Sequence, residues 1–133
     1  MRRRDLLPLI FLALVPATAH AASEGEAKKK TGGASYIALD TLTGATTKAN
    51  GRRGVMTVEC GLDIPDAALR ERAESILPRL RAAYLQTVMI YAAGLPPSAA
   101  PNADFLAMSL QRETDAELGR PGARVLLGAI LKN

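Results

Sequence analysis

The sequence predicts an α+β domain, in which a small antiparallel or mixed sheet packs on one long kinked helix and a shorter second helix. Three segments carry this prediction: Val55–Ile64 alternates between apolar and polar residues, Asp66–Ala93 has a helical apolar stripe, and Ala123–Lys132 is a short apolar run. Strands that flank a pair of helices in this order place both helices on one face of a sheet with three or more strands.

The composition fits one globular domain with a core of aliphatic side chains. The chain has 133 residues, of which 48% are hydrophobic, but only 4% are aromatic and there is no Trp. The formal charge of +4 includes Arg2–Arg4, and residues 22–133 carry 14 basic against 12 acidic side chains. This balance gives no basic stripe for nucleic acid, and the single cysteine excludes an internal disulfide.

Residues 1–21 have the three parts of an export signal. An arginine run that includes Arg3 and Arg4 precedes the apolar segment Leu6–Val15, and Ala19 and Ala21 form a small-x-small cleavage site. We therefore expect cleavage after Ala21 and a periplasmic protein. The arginine pair ahead of two leucines also resembles a twin-arginine signal, so this route and general secretion both stay open. An uncleaved signal would instead anchor the protein in the inner membrane.

Residues 22–35 are predicted to form a flexible leader, and the folded domain is predicted to begin at Tyr36. The leader has no apolar side chain larger than alanine, and its Lys28–Lys30 run is either a solvated linker or a contact to an anionic membrane. The first four residues of the domain indicate a short strand. The segment Asp40–Gly54 is rich in Thr, Gly and basic residues and is expected to turn the chain, with Asn50-Gly51 as a tight turn.

The strand predicted at Val55–Ile64 is expected to be half buried. One set of alternate residues is apolar and faces the core, whereas the other set contains Thr57 and Glu59 and faces outwards. Cys60 belongs to the inward set, so we predict a buried core residue and not a redox thiol. The inward set is Met56, Val58, Cys60 and Leu62.

A long helix is predicted over Asp66–Ala93, with Asp66 as its N-cap. Pro78 lies in its interior, where the missing N–H and the ring cost on the order of 3 kcal/mol, so a kink or a break is expected there. At about 100° per residue, the apolar side chains fall on one arc of roughly 160°. The predicted buried stripe consists of Leu69, Ala73, Ile76, Leu77, Leu80, Ala83, Tyr84, Thr87, Val88, Ile90 and Tyr91.

The rest of the chain is predicted to form a second helix and a last strand. Asn102 is expected to cap a helix over Ala103–Leu118, which Gly119 and Pro121 terminate. The last segment, Ala123–Lys132, is apolar at both odd and even positions. We therefore expect a strand that is covered on both faces.

Four features occur together and in a fixed order along the chain. A tyrosine-led strand opens the domain, and the strand Val55–Ile64 runs into an Asp-containing turn and the long helix. Inside this helix, Leu77–Leu85 has a proline followed by an apolar-Arg-x-x-apolar-Leu run, and a short apolar strand closes the domain. In all four features the chain, from roughly Tyr36 to Leu131, resembles the periplasmic domain of the flagellar basal-body-associated FliL proteins.

The resemblance implies a fold related to the stomatin-type domains and no enzymatic activity. It also implies self-association and contacts with the stator units of the flagellar motor or with other inner-membrane proteins. The residues themselves offer no catalytic, cofactor or metal site, because the only histidine, His20, lies in the signal and there is no cysteine pair. A second class stays open: a soluble envelope module, unrelated to motility, that binds a small apolar ligand or a lipid between helix and sheet.

One pair of apolar residues does not fit the predicted core. Leu85 and Met89 are four residues apart, so they are neighbours on the helix surface, but they lie away from the apolar stripe. Either the second helix covers them or, with Arg81 beside them, they form a self-association surface.

Overall fold

The structure, a computed structural model, describes residues 33–133. The predicted signal residues Arg3, Arg4, Ala19 and Ala21, and most of the predicted leader, lie outside the described residues. Seven elements follow one another along the chain: β1 (Tyr36–Ala38), β2 (Leu42–Thr47), β3 (Arg53–Asp63), α1 (Ala67–Ser75), α2 (Leu77–Gly94), α3 (Ala103–Leu118) and β4 (Arg124–Lys132).

β3 is the central strand of a four-stranded antiparallel sheet. β1 and β2 share one edge of β3, because β1 pairs with its last residues and β2 with its first half. β4 pairs with the opposite edge, in a register that places Val125 opposite Leu62 and Lys132 opposite Met56. α2 packs on β2 and α3 packs on β4. The predicted α+β class, with the helices on one face of the sheet, is confirmed.

Ser35, one residue before the predicted boundary at Tyr36, already bonds to the end of β3 and to the residue that follows it. The Ser35 hydroxyl donates to Asp63 Oδ1 at 2.6 Å, and the Ser35 carbonyl accepts from the Ile64 N–H at 2.8 Å. The ring of Tyr36 then lies across Gly61, within 2.5 Å of where a Cβ would be. A side chain at position 61 would therefore displace Tyr36 from the sheet.

The segment expected to be a turn contains strand β2, so that prediction was wrong for residues 42–47. Its inward positions are Leu42, Gly44 and Thr46, and all three are buried. Only one of them is a large apolar residue, which explains why the alternation was not recognised. The turn itself is shorter than predicted and is centred on Asn50-Gly51, where Gly51 has a φ of 78°.

The long predicted helix is broken in two. α1 ends at Ser75 and α2 begins at Leu77, with Pro78 in the first turn of α2. In that turn a missing N–H costs nothing, because the N–H would have no partner in the helix. In the second half of the predicted helix, α2 buries Leu80, Tyr84 and Val88 of the predicted stripe, and it also buries Ala92. Ile90, predicted to be buried, is 67% exposed.

α3 is the element that the sequence predicted most closely. Asn102 Oδ1 accepts from the Phe105 N–H at 3.0 Å as the N-cap, and the helix ends at Gly119, whose φ is 76°. Its buried side chains are Leu106, Leu110, Thr114 and Leu118.

β4 is an edge strand, not the strand covered on both faces that the sequence predicted. In the register of β3 and β4, Val58 lies opposite Ile130 and Cys60 lies opposite Leu127. One residue of β3 lies between Val58 and Cys60, whereas two residues of β4, Gly128 and Ala129, lie between their partners. These two residues therefore form a β-bulge. The bulge puts Leu127 and Ile130 on the same, inward face of the sheet. Leu131 is consequently turned to the outer face and is 66% exposed.

The end of β4 is tied to the connector between α2 and α3. The Lys132 ammonium donates to the carbonyl oxygen of Pro97 at 2.8 Å and to that of Ala99 at 2.5 Å. Beside it, Asn133 exchanges two hydrogen bonds with the backbone of Val55, at 3.0 and 3.1 Å. These contacts hold the last strand against both layers of the domain.

Candidate functional site

An apolar groove of about 510 Å³ opens between α2 and α3 on the surface of the helical layer. Ile90 and Tyr91 of α2 form one wall, Phe105 of α3 forms the other, and Leu95 and Pro96 close the end nearest the connector. Ile90 is 67% exposed and Phe105 is 47% exposed, which is unusual for side chains of this size. Such a groove can bind apolar side chains or an apolar ligand.

The two aromatic side chains of the groove, one from each helix, are held in place by two contacts. The rings of Tyr91 and Phe105 stack with centroids 5.5 Å apart and an angle of 27° between their planes. The Tyr91 hydroxyl accepts from the Asn102 N–H at 2.7 Å, at the residue that caps α3. Because Asn102 and Phe105 are themselves joined by the cap, the groove is preformed and does not need a partner to order it.

Polar groups are confined to one end of the groove. Ser109, Arg112 and Glu113 of α3 line this end, together with Thr87 of α2. The Thr87 hydroxyl already donates to the Ala83 carbonyl at 3.1 Å. Arg112 and Glu113 together contribute no net charge, so the groove does not select the charge of what it binds.

The structure brings Arg81, Leu85 and Met89 together on the flank of α2 that faces β2. Arg81 Nη1 lies 3.4 Å from Asp40 Oδ2, a solvent-exposed ion pair that contributes at most about 1 kcal/mol. Leu85 is half buried against the core, whereas Met89 is 52% exposed. The Met89 Cα is 3.3 Å from the position of a Cβ on Gly44 of β2.

The groove with α3 lies on the other flank of α2. α3 therefore does not cover Met89, and the alternative in which the second helix covers this pair is wrong for Met89. The self-association surface predicted at Arg81, Leu85 and Met89 stays a prediction, with Met89 as its exposed apolar side chain.

Sequence reasoning missed the groove residues. The predicted buried stripe includes Ile90, because it runs through Pro78 as one continuous helix. Phe105 lies outside the apolar stripe of α3 and is 47% exposed. Its position, two residues after Ala103, is a usable signal, since it does not fall on the face formed by Leu106 and Leu110.

The remaining candidate groups have structural contacts. Cys60 is buried in the core, as predicted. Asp66 Oδ2 accepts from the Leu69 N–H at 2.9 Å and from Arg120 Nη2 at 2.9 Å, so it is the N-cap of α1. The hydrogen bond from Leu69, followed by the bond and charge of Arg120, holds the pKa of Asp66 below its ordinary value.

Two findings concern the described residues as a set. Within residues 33–133, no three His, Cys, Asp or Glu side chains are grouped so that they could hold a metal ion. In the same part of the chain, no helix has the length and apolar character needed to cross a membrane.

Comparison with known proteins does not identify a family. No family model matches the chain, and no curated protein matches it. The resemblance to FliL therefore rests on the sequence features given above.

Proposed function

We propose that this chain is an exported, non-enzymatic module of the bacterial cell envelope, similar to the periplasmic domain of FliL, that works by protein–protein contact at the flagellar motor or inner membrane. The observation that supports the proposal is the placement of the exposed apolar side chains. Six large apolar side chains are prominently exposed in the described residues, and Met89, Ile90, Phe105 and Met108 of the helical layer are four of them.

Exposed side chains of this kind favour a protein partner. Aromatic residues and Met are enriched at the centres of protein interfaces, where burial of a single anchor can supply much of the affinity. Ile90 of α2 and Phe105 of α3 both line this preformed groove, so a partner side chain that enters it can contact both helices. A preformed site also avoids the entropy cost of ordering the groove on binding.

The two flanks of α2 allow two contacts at once. A partner in the groove covers Ile90 and leaves the flank of Arg81, Leu85 and Met89 free. Self-association through that flank is therefore compatible with partner binding, which an assembly around a stator unit requires. We keep the homo-oligomer as part of the proposal.

Motility in a deletion strain tests the proposed place of action. The strain lacking this protein should lose swimming while it still assembles flagella, and a plasmid copy of the wild-type chain should restore swimming. Normal motility of the deletion strain in standard and in viscous medium would overturn the motor role.

A pair of variants tests the docking surface. The double variant Ile90→Asp/Phe105→Asp should accumulate normally, because both positions are exposed. It should nevertheless fail to restore swimming, because a charge in the groove prevents docking of an apolar side chain. The matched control is Gln86→Asp, at an exposed position of α2 outside the groove. If the double variant swims as well as the control, the groove is not the docking site.

The groove itself supports a second candidate function, the binding of a small apolar ligand. Its volume of about 510 Å³ lies within the range of ligand pockets, and most of its lining is apolar. Native mass spectrometry of the exported protein should then show a co-purifying small molecule that Ile90→Asp releases. A single unliganded mass, with no fluorescence change when a fluorescent fatty acid is titrated, would rule this candidate out.

A further inference from the structure

One backbone edge of β4 pairs with no strand of residues 33–133. Among the described strands β4 pairs only with β3, and β3 carries β1 and β2 on its other edge. The outward N–H and C=O groups of β4 therefore have no strand partner within residues 33–133. Such an edge is a template for pairing with another strand.

The start of this edge is already occupied by a side chain. Gln111 Nε2 donates to the Ala123 carbonyl at 2.7 Å, and Gln111 Oε1 accepts from the Val125 N–H at 2.9 Å. The carboxamide thus occupies the place that the peptide group of a neighbouring strand would take. Gln111 Nε2 also donates to Asp115 Oδ1 at 3.0 Å, which fixes the amide in this orientation.

The bonds of Val125 and Asn133 show which residues of β4 present their backbone outwards. The Val125 N–H points away from β3, to Gln111, whereas the Asn133 N–H points towards β3 and donates to the Val55 carbonyl. Alternation from these two ends assigns outward backbone groups to Leu127 before the bulge and to Ile130 and Lys132 after it. The open part of the edge is therefore Leu126–Lys132.

We propose that this open edge pairs with the same edge of a second copy of the chain, antiparallel, about a two-fold axis between Gly128 and Ala129. The two four-stranded sheets then form one continuous sheet. This surface is separate from the groove and from the flank of α2, so the inference does not depend on the proposed function.

The sequence of β4 is complementary to itself in this register. Leu127 lies opposite the partner's Ile130, and both have outward backbone groups, as a hydrogen-bonded pair requires. Leu126 lies opposite the partner's Leu131, and Gly128 lies opposite the partner's Ala129. Because the bulge places Leu127 and Ile130 on one face and Leu126 and Leu131 on the other, each leucine meets an apolar side chain on its own face.

The charges at the ends of the strand also tolerate this pairing. Arg124 falls opposite the partner's Asn133, and Lys132 falls opposite the partner's Val125, so no like charges meet. A parallel arrangement would place Arg124 beside the partner's Arg124.

Gln111 limits the ladder to six residues by covering Val125. We therefore expect a weak dimer, with a Kd above about 1 μM, since the interface is small.

Analytical ultracentrifugation of the exported protein over a concentration series tests the dimer. The wild type should shift from monomer to dimer as the concentration rises. Leu131→Lys, at a position that is 66% exposed, should raise the dimer Kd at least about tenfold, because it puts a charge beside each Leu126. Gln111→Ala should have the opposite effect and strengthen the dimer, because it opens the edge at Val125.

Disulfide trapping tests the register. A mixture of Leu126→Cys and Leu131→Cys proteins should form a crosslinked heterodimer under mild oxidation, whereas a mixture of Leu126→Cys and Val55→Cys should not. Val55 is the control because it is 41% exposed but lies on β3. A monomer at all concentrations would overturn the proposal. So would a dimer that neither Leu131→Lys nor Gln111→Ala affects, or equal crosslinking in the two mixtures.

Discussion

The hydroxyl of Tyr84 donates to the hydroxyl of Thr114 in the fully buried space between α2 and α3. Thr114 Oγ1 in turn donates to the Leu110 carbonyl at 2.7 Å, so the Tyr84 proton is directed towards Thr114. Both residues are 0% exposed. This chain of two hydrogen bonds is a buried polar link between the helices that carry the groove.

Removal of the Thr114 hydroxyl, the acceptor, should therefore destabilise the domain more than removal of the Tyr84 hydroxyl, the donor. Thr114→Val leaves the Tyr84 hydroxyl buried without a partner, and we expect a loss of about 1–3 kcal/mol. Tyr84→Phe leaves Thr114 its bond to Leu110, and we expect about 1 kcal/mol. Urea unfolding followed by circular dichroism measures both. Equal losses, or a larger loss for Tyr84→Phe, would contradict this assignment of donor and acceptor.

Stability should also fall in strong alkali because of Tyr84. Burial, as the largest cause, raises the pKa of Tyr84 from 10.0 to about 12. With a folded pKa above the unfolded one, the stabilisation is complete below pH 10 and is lost as the pH rises towards 12. The difference corresponds to about 2–3 kcal/mol of unfolding free energy. The free energy of unfolding of the wild type and of Tyr84→Phe, measured between pH 9 and 12, isolates the contribution of this residue. If the two free energies fall in parallel as the pH rises, the prediction is refuted.

The acid side of the stability profile should depend on Asp66. The Leu69 N–H and Arg120 lower the pKa of its carboxyl group from 3.8. A lowered folded pKa stabilises the domain above the unfolded pKa, and this stabilisation is lost as the pH falls through the folded value. Asp66→Asn keeps an N-cap acceptor and removes the charge, so its melting temperature should change less than that of the wild type between pH 5 and 2. If the melting temperature of Asp66→Asn falls with pH as steeply as that of the wild type, Asp66 does not contribute to the acid dependence of stability.

A methyl group at position 44 should separate α2 from the sheet. A Cβ on Gly44 would lie 2.7 Å from Ala92 Cβ and 3.0 Å from the Val88 carbonyl oxygen. Gly44→Ala should therefore cost about 1–3 kcal/mol of unfolding free energy, through overpacking between β2 and α2. The matched control is Gly94→Ala, where a Cβ meets nothing within 4 Å. Chemical denaturation that gives the two variants the same midpoint would show that the helix can move away without cost.

The elements predicted best from the sequence are those whose signals are local. The alternation of β3 and the Asn102 cap and Gly119 terminus of α3 depend only on neighbouring residues, and the structure has all of them. β2 was missed because its inward positions include Gly44 and Thr46. A small residue at position 44 is required by the approach of α2, which is a tertiary contact that no local pattern reveals.

The candidate site was less predictable than the fold. A continuous helix through Pro78 predicts burial of Ile90, whereas the helix restarts at Leu77 and Ile90 is 67% exposed. The bulge at Gly128-Ala129 had the same effect on β4, since one extra residue reverses the face of Leu131. In both cases a backbone irregularity comes before the residue whose exposure differs from the prediction, Ile90 in α2 and Leu131 in β4.

The central position of β3 has a consequence for how the chain matures. Its second edge is completed by β4, and Asn133, one residue beyond β4, also bonds to Val55. During synthesis on a ribosome, the sheet therefore cannot close until β4 has emerged. Until then, the backbone groups on this edge of β3 have no strand partner among the described elements. Late closure of this kind is slow because the two strands are far apart in sequence. A nascent chain of this protein should thus be a better client for chaperones than its small size suggests.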